Sequence, residues 1–524
     1  MKTRAITLFC FVLCVINTRA QSKVFKEVSD EVSSQMKVIT QDDALIGYLL
    51  FTRLEKANAD SFNYKITIMD ENLNDIGNVE FREQNLDLRD VAFEQDMLCL
   101  AYLKSNVIST SYKSNKSFRN AVETARNSIF TQFVNLQGKI LKTNAYNVDL
   151  DTRGYILNLA MTPPNSIVGT LKHNVILRNI PQKGFVCFYG DESKNNILTF
   201  DTSGKQIWHK DVPNAKGYAL LTTSDNIYIL SKKDAEMVEG GYEVNGYVAA
   251  NGTSTDKLLL KDKKGHFLKV LGFENDPSTG KPFITGNIID ENYGNKIYTS
   301  KQLTKGTYDG VFTISLNGPK KSDIKETFSY WNDGSQMPMI SEKARFQESQ
   351  SYTRFSRTMR DYNGNTYFIG SSLIKKTKIA AIATAVVLSP LIIVSPFVLA
   401  ATGTVKCKVK DALLLKQDAN GKLSMESTIP GDETRFYSGR IPLDLFDLKK
   451  YYNVTNSTTK SNFLIVDDIR NIVIYNVNSK KVVRTVPHKD GSIRTNIFPA
   501  KEGYIMVSEY NKKEKYTRLS IESL

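Results

Sequence analysis

Histidine, cysteine and tryptophan are scarce in this chain, and the motifs of the common enzyme classes are missing. Among its 524 residues are two tryptophans, five cysteines and four histidines. The spacings of His173, His209, His266 and His488 match no metal-binding motif, and we expect His209 and His266 at surface hairpin positions. No H-E-x-x-H, C-x-x-C, G-x-S-x-G or glycine-rich phosphate loop occurs. The sequence therefore indicates no catalytic residue, no metal and no cofactor. It neither supports nor excludes an enzymatic activity.

The cysteines are too few and too scattered for a disulfide framework. Cys10 and Cys14 lie in an N-terminal segment that we expect to be removed, which leaves Cys99, Cys187 and Cys407. An odd and sparse set is not the pattern of a disulfide-stapled domain. Because Cys99 and Cys187 lie in the apolar runs DMLCLAYL and GFVCFYG, we predict that both are buried as small hydrophobic residues.

The first twenty residues are typical of a secretory signal peptide. A basic start at Lys2 and Arg4 is followed by an apolar stretch, which is too short to span a bilayer comfortably, and then by the small residue Ala20. We therefore predict a signal peptide over residues 1–20 and export of residues 21–524. The expected location is the periplasm or the outer envelope, in association with a membrane.

Positive charge is spread along the whole chain. The formal net charge is +14, and removal of the signal peptide, which carries three basic residues, leaves +11. An even spread is typical of a solvated surface, whereas a nucleic-acid groove concentrates its lysines and arginines. Nucleic acid is therefore not an expected partner.

One pattern returns along the chain: a β-rich run, a turn of Asp, Asn, Ser and Gly, and a second β-rich run. This arrangement is typical of β-hairpins. Seven segments have it, namely YKITIMDENLNDIGNVEF (64–81), IFTQFVNLQGKILKTN (129–144), NILTFDTSGKQIWHK (196–210), KLLLKDKKGHFLKVL (257–271), GVFTISLNGPKKSD (310–323), ALLLKQDANGKLSMES (412–427) and NIVIYNVNSKKVVRT (471–485). A further strand usually precedes the hairpin. Three antiparallel strands per unit, repeated about seven times, predict an all-β fold, a β-propeller of seven or eight blades over residues 21–524. A row of β-sandwich domains is the competing architecture.

The stretch KIAAIATAVVLSPLIIVSPFVLA (378–400), which carries no charge after Lys378 and which we call the apolar run, interrupts this repeat. The turn glycines Gly138, Gly204, Gly265 and Gly318 follow one another at intervals of 66, 61 and 53 residues, but Gly421 comes only after 103 more. Removal of residues 371–408 restores an ordinary interval of 65. These residues are therefore predicted to be an apolar insertion, with the character of a helical hairpin, between two strands of one blade.

The apolar run is long enough for one transmembrane helix, but two features disfavour a straight span. Pro390 and Pro396 interrupt it, and strands of one blade lie on both of its sides. We therefore favour insertion into a membrane surface, with a true span and packing against protein as alternatives. The predicted membrane or partner contacts are Ile379, Ile382, Val386, Val387, Leu388, Leu391, Ile392, Ile393, Val394, Phe397, Val398 and Leu399. The basic flanks that favour an anionic surface are Lys375, Lys376, Lys378, Lys406, Lys408 and Lys410.

One repeat carries a resemblance to known propellers. NILTFDTSGKQIWHK resembles the outer hairpins of quinoprotein-like blades, which read as a strand, Asp-x-x-Gly-Lys and a strand with Trp. With its degenerate repeats and its TRA-QS junction, the mature chain is similar to uncharacterised secreted β-propeller-like proteins of Bacteroidetes-type bacteria. The resemblance implies a fold, and it implies neither a cofactor nor an activity.

Three local features add further expectations. The last strands, GYIMVSEY and YTRLSIES, are predicted to pair with the N-terminal MKVIT and so close the ring. The segment SFRNAVETARNSIF has apolar residues at helical spacing and predicts an amphipathic helix over a blade edge. Asp70, Asn72 and Asn74 resemble the start of a calcium loop, but the glycine and glutamate of such a loop are missing, so a hairpin turn is predicted.

These features favour a non-enzymatic binding or scaffold protein of the cell envelope, attached to a membrane surface or a protein partner through the apolar insertion. A glycan-binding or carbohydrate-active propeller enzyme is the alternative, because a propeller can gather carboxylates at one end of its channel. A single-pass membrane protein with β domains on both sides is the second alternative.

Overall fold

The structure is a computed structural model. It describes residues 21–524 except for 27–32, 43, 59–60, 108–113, 150–174, 192–193, 214–216, 233–239, 291–307, 319, 334–339, 341–344, 347–350, 378–404 and 438–448. The predicted signal peptide therefore lies outside the described residues.

The described strands form eight antiparallel sheets, which are the blades of a β-propeller. Blade 1 consists of β2 (Ser33–Gln41), β3 (Ala44–Lys56), β4 (Phe62–Asp70) and β5 (Asp75–Glu83), and blade 2 consists of β6 (Leu86–Glu94), β7 (Met97–Ser105), β8 (Asn127–Asn135) and β9 (Ile140–Val148). Blade 3 consists of β10 (Ile176–Ile180), β11 (Gly184–Gly190), β12 (Asn195–Phe200) and β13 (Gln206–Val212), and blade 4 consists of β14 (Gly217–Thr222), β15 (Asn226–Lys232), β16 (Tyr242–Val248) and β17 (Ser254–Leu259). Blade 5 consists of β18 (Leu268–Asn275), β19 (Pro282–Ile289), β20 (Tyr308–Leu316) and β21 (Ile324–Tyr330). Blade 6 consists of β22 (Tyr352–Arg360), β23 (Thr366–Thr377), β24 (Val405–Gln417), β25 (Leu423–Ile429) and β26 (Thr434–Tyr437). Blade 7 consists of β27 (Lys450–Asn456), β28 (Ser461–Asp467), β29 (Asn471–Asn476) and β30 (Lys481–Pro487). Blade 8 consists of β31 (Lys489–Asp490), β32 (Ile493–Pro499), β33 (Tyr504–Asn511), β34 (Tyr516–Ser523) and, from the other end of the chain, β1 (Gln21–Lys26). The prediction of a propeller of seven or eight blades is confirmed, with eight blades of four principal strands where three per unit were expected.

The turns predicted from the sequence are short, and hydrogen bonds to their own side chains stabilise them. At the β12–β13 turn, the Asp201 carboxylate accepts a hydrogen bond from Lys205 N at 2.9 Å, and Gly204 adopts a φ of +81°. A two-residue turn followed by a left-handed glycine matches the twist of antiparallel strands. At the β4–β5 turn, Asp70 Oδ1 accepts hydrogen bonds from Asn72 N and Asn74 N, both at 2.8 Å. The DENLND segment is therefore a hairpin turn, as predicted.

One of the seven predicted hairpins is wrong. Residues 257–271 span β17 and β18, which belong to blades 4 and 5. Asp262 nevertheless makes the expected turn, because its Oδ1 accepts hydrogen bonds from Lys264 N at 2.9 Å and His266 N at 2.7 Å. The turn chemistry is the same as in a hairpin, but here the chain passes from one blade to the next.

The ring is closed by residues from both ends of the described chain. Gln21–Lys26 pairs with β34 in antiparallel register, from Gln21 opposite Ile521 to Lys26 opposite Tyr516. The predicted closure through MKVIT is wrong, since Met36–Thr40 belongs to β2 and pairs with β3 of blade 1. In both places a strand edge is covered, which satisfies backbone groups that would otherwise be open to another chain.

Apolar side chains pack between neighbouring blades all around the ring. Between blades 2 and 3, the Phe133 ring lies 5.8 Å from that of Phe185 and 5.4 Å from that of Phe200. The same cluster holds Cys99 and Cys187, which are free and fully buried, as predicted. Similar clusters occupy the other blade contacts, including the one between blades 8 and 1. Burial of these rings is the main stabilising term of the fold.

The two ends of the propeller differ in what they carry. Since strands alternate in direction, the turns between the first and second strands of every blade lie at one end, which we call the turn face. The loops between the second and third strands lie at the other end, the link face, together with the connections between blades. The predicted amphipathic helix is present in part: α1 (Asn115–Glu123) lies between β7 and β8 on the link face, whereas residues 127–130 of the predicted segment belong to β8. Ser114 caps α1, because its side chain accepts a hydrogen bond from Ser117 N at 3.1 Å.

Candidate functional site

The strands on either side of the apolar run are neighbours in blade 6. β23 and β24 stay paired up to Thr377 opposite Val405, the last described residues before and after the gap at 378–404. β26 adds a third strand, pairing Lys406 to Val409 of β24 with Thr434 to Tyr437. The predicted apolar contacts, from Ile379 to Leu399, and the flanking Lys378 lie outside the described residues.

Both ends of the apolar run thus leave the propeller at one place on the link face. Opposed residues of an antiparallel pair have Cα atoms only about 5 Å apart. A single membrane crossing would separate the two flanks, so it is incompatible with the pairing of Thr377 and Val405. Within the part of the chain that the structure describes, no helix has the length and apolar character needed to cross a bilayer.

The flanking lysines differ in their surroundings. Lys375, Lys376 and Lys406 lie in the paired extension of β23 and β24. Lys408 Nζ lies 2.9 Å from the carboxylate of Glu433, and exposed Lys410 lies 3.7 Å from Asp411 Oδ2. Part of the basic charge near the apolar run is therefore neutralised by neighbouring carboxylates.

A second feature lies at the opposite end of the molecule, where the central channel widens into a cavity of about 1170 Å³. The first long strand of each of the eight blades contributes to its wall. The cavity opens on the turn face, since its rim includes Asp42 of the β2–β3 turn, Asp225 of the β14–β15 turn and Lys281 of the β18–β19 turn. Thr377 and Val405, which flank the apolar run, lie at the opposite end of the propeller, on the link face.

Charged side chains of both signs line the cavity. The carboxylates are Asp42, Asp90, Asp225, Glu274, Asp276 and Glu502, and the cations are Arg178, Lys281, Arg357 and Arg360. Most are engaged with a neighbour: Asp90 Oδ2 lies 3.0 Å from Arg178 Nη1, and Asp276 Oδ2 lies 2.9 Å from Arg360 Nε. Among the described residues, no group of three or more His, Cys, Asp and Glu side chains is arranged to hold a metal ion. The channel carboxylates that a glycan-processing enzyme needs are present at the mouth, but cations and amides of the wall already bind them.

A polar cluster on the link face of blade 5 includes one of the four histidines. Asp262 Oδ2 accepts a hydrogen bond from the Tyr330 hydroxyl at 2.7 Å and lies 3.1 Å from His266 Nδ1, while Asp309 Oδ2 is 4.0 Å from the same nitrogen. Burial, followed by the nearby Asp290, raises the pKa of Asp309 to about 6. His266 is only 15% exposed, so the expectation of a surface position is wrong for this residue. His209 is half exposed beside Asp211, as expected.

Sequence reasoning missed the cavity because the predicted unit of three strands left out the innermost strand of most blades, which lines the cavity. The segment YTRFSRTMR of β22 carries an arginine at every third position, and two of these, Arg357 and Arg360, line the cavity. That spacing matches neither a simple strand alternation nor a known motif. Both arginines follow the bulge between Phe355 and Arg357, so strand alternation places them on opposite faces of β22. Both line the cavity because β22 is the inner edge strand of blade 6.

Several solved structures are similar in fold. The Dos1 propeller is 9% identical with a TM-score of 0.43, over 95% of this chain and 94% of that one. The WD40 domain of SCAP from fission yeast is 10% identical with a TM-score of 0.38, over 95% and 98%. A protein of unknown function from Bacteroides caccae is 11% identical with a TM-score of 0.26, over 74% and 94%. Likenesses at this level carry no argument about function.

Comparison with whole families is more informative than comparison with single proteins. No curated protein matches the sequence. A family model matches residues 1–433, well over half of the chain. The chain therefore belongs to the DUF6770 family, a family of unknown function.

Proposed function

We propose that the protein is a non-enzymatic binding or scaffold module of the cell envelope, held at an anionic membrane surface by its apolar insertion, residues 371–408. The observation that carries the proposal is the pairing of Thr377 with Val405. It means that the whole uncharged run must leave and return at one point of blade 6. An excursion of this kind can enter one leaflet and come back, whereas it cannot anchor the chain by a single crossing.

The surroundings of the insertion support attachment. The apolar run holds no charge from Ile379 to Ala401, and lysines lie on both of its sides. Burial of apolar side chains in the acyl boundary and attraction of lysines to anionic head groups are the two terms that hold such segments at a membrane. An exposed apolar patch of this size on a monomer is otherwise a liability for aggregation. The eight-bladed ring then presents its turn face away from the membrane.

The pairing also suggests a clean deletion. Residues 378–404 are replaced by Asn-Gly, a dipeptide suited to a two-residue turn, so that Thr377 and Val405 are joined in the register they already have. The chain from Gln21 and this variant are mixed with vesicles of phosphatidylcholine alone or with 30% phosphatidylglycerol, and the bound fraction is measured by sedimentation. A matched control deletes an insertion of the same face, replacing residues 106–126 with Asn-Gly between β7 and β8.

The proposal expects the unaltered chain and the control to bind the anionic vesicles, more weakly at high salt, and the Asn-Gly variant to lose binding. A folded Asn-Gly variant that binds as well as the unaltered chain would contradict it. If the unaltered chain binds neither kind of vesicle, attachment to lipid is wrong, and a protein partner becomes the occupant of the apolar run. The melting temperature of each variant, compared with that of the unaltered chain, shows whether the ring is intact.

A further inference from the structure

Arg357 lines the cavity on the turn face, and its guanidinium group has no hydrogen-bonded partner among the described residues. Arg357 of β22 is about a third exposed, at 33%, and its Nη2 lies 3.7 Å from Glu274 Oε1, which is too long for a hydrogen bond. Its buried Nε donates to no atom in the described part of the chain. Native proteins rarely leave guanidinium donors at a cavity wall unused, because desolvated donors without acceptors are costly.

Two further cations stand on the same side of the cavity. Arg360 is held over the Phe283 ring at 5.2 Å and against Asp276. Lys281 is exposed at the rim, and its ammonium group has no partner among the described residues. Asp276 compensates only in part, since its Oδ1 already accepts a hydrogen bond from Ser278 N at 2.8 Å. Blades 5 and 6 thus present a wall that can accept one more negative charge.

The rest of the cavity limits how much negative charge a ligand can carry. Asp42 of blade 1 and Asp90 of blade 2 lie across the ring from this wall, and Glu502 of blade 8 is exposed at the rim. Carboxylates in these places repel a doubly charged phosphate. The wall also includes apolar side chains, such as Val38, Leu45 and Leu316. A ligand with one negative charge and a partly apolar remainder fits these walls best.

We infer that the cavity is a binding site for a carboxylate-bearing ligand, with Arg357 as the group that binds the carboxylate. The forked guanidinium donates two parallel hydrogen bonds to a carboxylate, and Arg360 and Lys281 add favourable charge nearby. The shared chemistry fits either a small organic acid or the C-terminal carboxylate of a peptide. The site is separate from Thr377 and Val405, the described residues that flank the apolar run, since these lie on the link face.

The test uses the chain from Gln21 and probes that differ in one group. N-acetyl-trialanine is compared with its C-terminal amide, and butyrate and inorganic phosphate are titrated in parallel, with affinities measured by ligand-observed NMR. The variants are Arg357→Gln, the conservative Arg357→Lys, and Arg484→Gln as a matched control. Arg484 is an ion-paired arginine on the outer strand β30, far from the channel wall.

We expect the free acid to bind at least about tenfold more tightly than the amide, as is typical of a charge-assisted pair. Arg357→Gln should remove that difference, Arg357→Lys should keep part of it, and Arg484→Gln should leave it unchanged. If butyrate binds as tightly as the peptide acid, the ligand is a small organic acid, and if butyrate binds much more weakly, the ligand is a peptide terminus. The inference is overturned if no carboxylate probe binds, if acid and amide bind alike, if phosphate binds most tightly, or if folded Arg357→Gln binds as before.

Discussion

Asp309, at the start of β20, has a carboxyl pKa that lies within the usual pH range of protein buffers. Burial and then the neighbouring Asp290 raise the pKa of its carboxyl to about 6, whereas an unfolded aspartate titrates near about 4. The folded state therefore binds the proton more tightly than the unfolded state does. The stabilising contribution of the neutral carboxyl is present below about pH 4 and is lost as the pH rises through about 6.

The substitution Asp309→Asn should therefore raise the free energy of unfolding at pH 7.5 by about 1–2 kcal/mol and change it little at pH 4. Urea unfolding at the two pH values measures this. Asp201→Asn is the control of opposite sign: burial acts to raise the pKa of Asp201, but hydrogen bonds from Ser203 and Lys205 outweigh it and lower the pKa. This control should destabilise the protein at pH 7.5. Equal effects of Asp309→Asn at both pH values would contradict the prediction.

Two glycines separate the cost of a backbone conformation from the cost of a clash. Gly421 and Gly265 have nearly the same φ, +87° and +88°. A Cβ at Gly421 would lie 2.8 Å from Thr327 Cγ2, whereas a Cβ at Gly265 would meet nothing within 4 Å.

Gly265→Ala should cost about 1 kcal/mol, from the left-handed conformation alone, and Gly421→Ala should cost about 2–3 kcal/mol because the clash adds to it. Chemical denaturation of both variants gives the two free energies. If the two losses were equal, the contact with Thr327 would have no energetic weight.

At the scale of elements, β1 decides whether the ring has an open edge. Its six residues pair along β34, and Phe25 packs into the apolar cluster between blades 8 and 1. Without β1, the backbone groups of β34 would face solvent and be free to pair with another chain.

A chain that begins at residue 27 should therefore melt about 5 °C or more below the chain that begins at Gln21, and it should aggregate on heating. Phe25→Ala keeps the strand and removes only the packing, so its melting temperature should fall between the two. Differential scanning calorimetry with light scattering measures both effects. Identical melting of the two chain lengths would show that β34 does not need its partner.

Elements also show how far the sequence could be read. Five of the seven predicted hairpins contain parts of both paired strands, and a sixth, 310–323, contains β20 and the turn but ends before β21. The turns could be predicted because residues such as Asp and Asn specify a tight turn locally. Asp262 makes the same turn between two blades, so local chemistry alone could not distinguish a hairpin from a link. The alternating pattern of MKVIT is likewise compatible with β3 or with β34, and only packing selects β3.

At the scale of the whole molecule, the eight-bladed ring separates two features. The apolar run leaves from the link face of blade 6, and the cavity opens on the turn face. Replacement of residues 378–404 with Asn-Gly should therefore leave the affinity for N-acetyl-trialanine unchanged within about twofold, even where vesicle binding is lost. NMR titration of the folded variant measures this. A large loss of affinity would show that the two faces are coupled.

The sequence by itself determined the all-β class, the turns, the burial of Cys99 and Cys187 and the place of the apolar run between two strands. These features depend on neighbours along the chain, so periodicity and turn chemistry suffice to reveal them. Only the tertiary structure decided the blade number, the closure by Gln21–Lys26 and the assembly of Arg357, Arg360 and Lys281 at one cavity wall. These depend on contacts between residues far apart in sequence, which packing around a closed ring brings together.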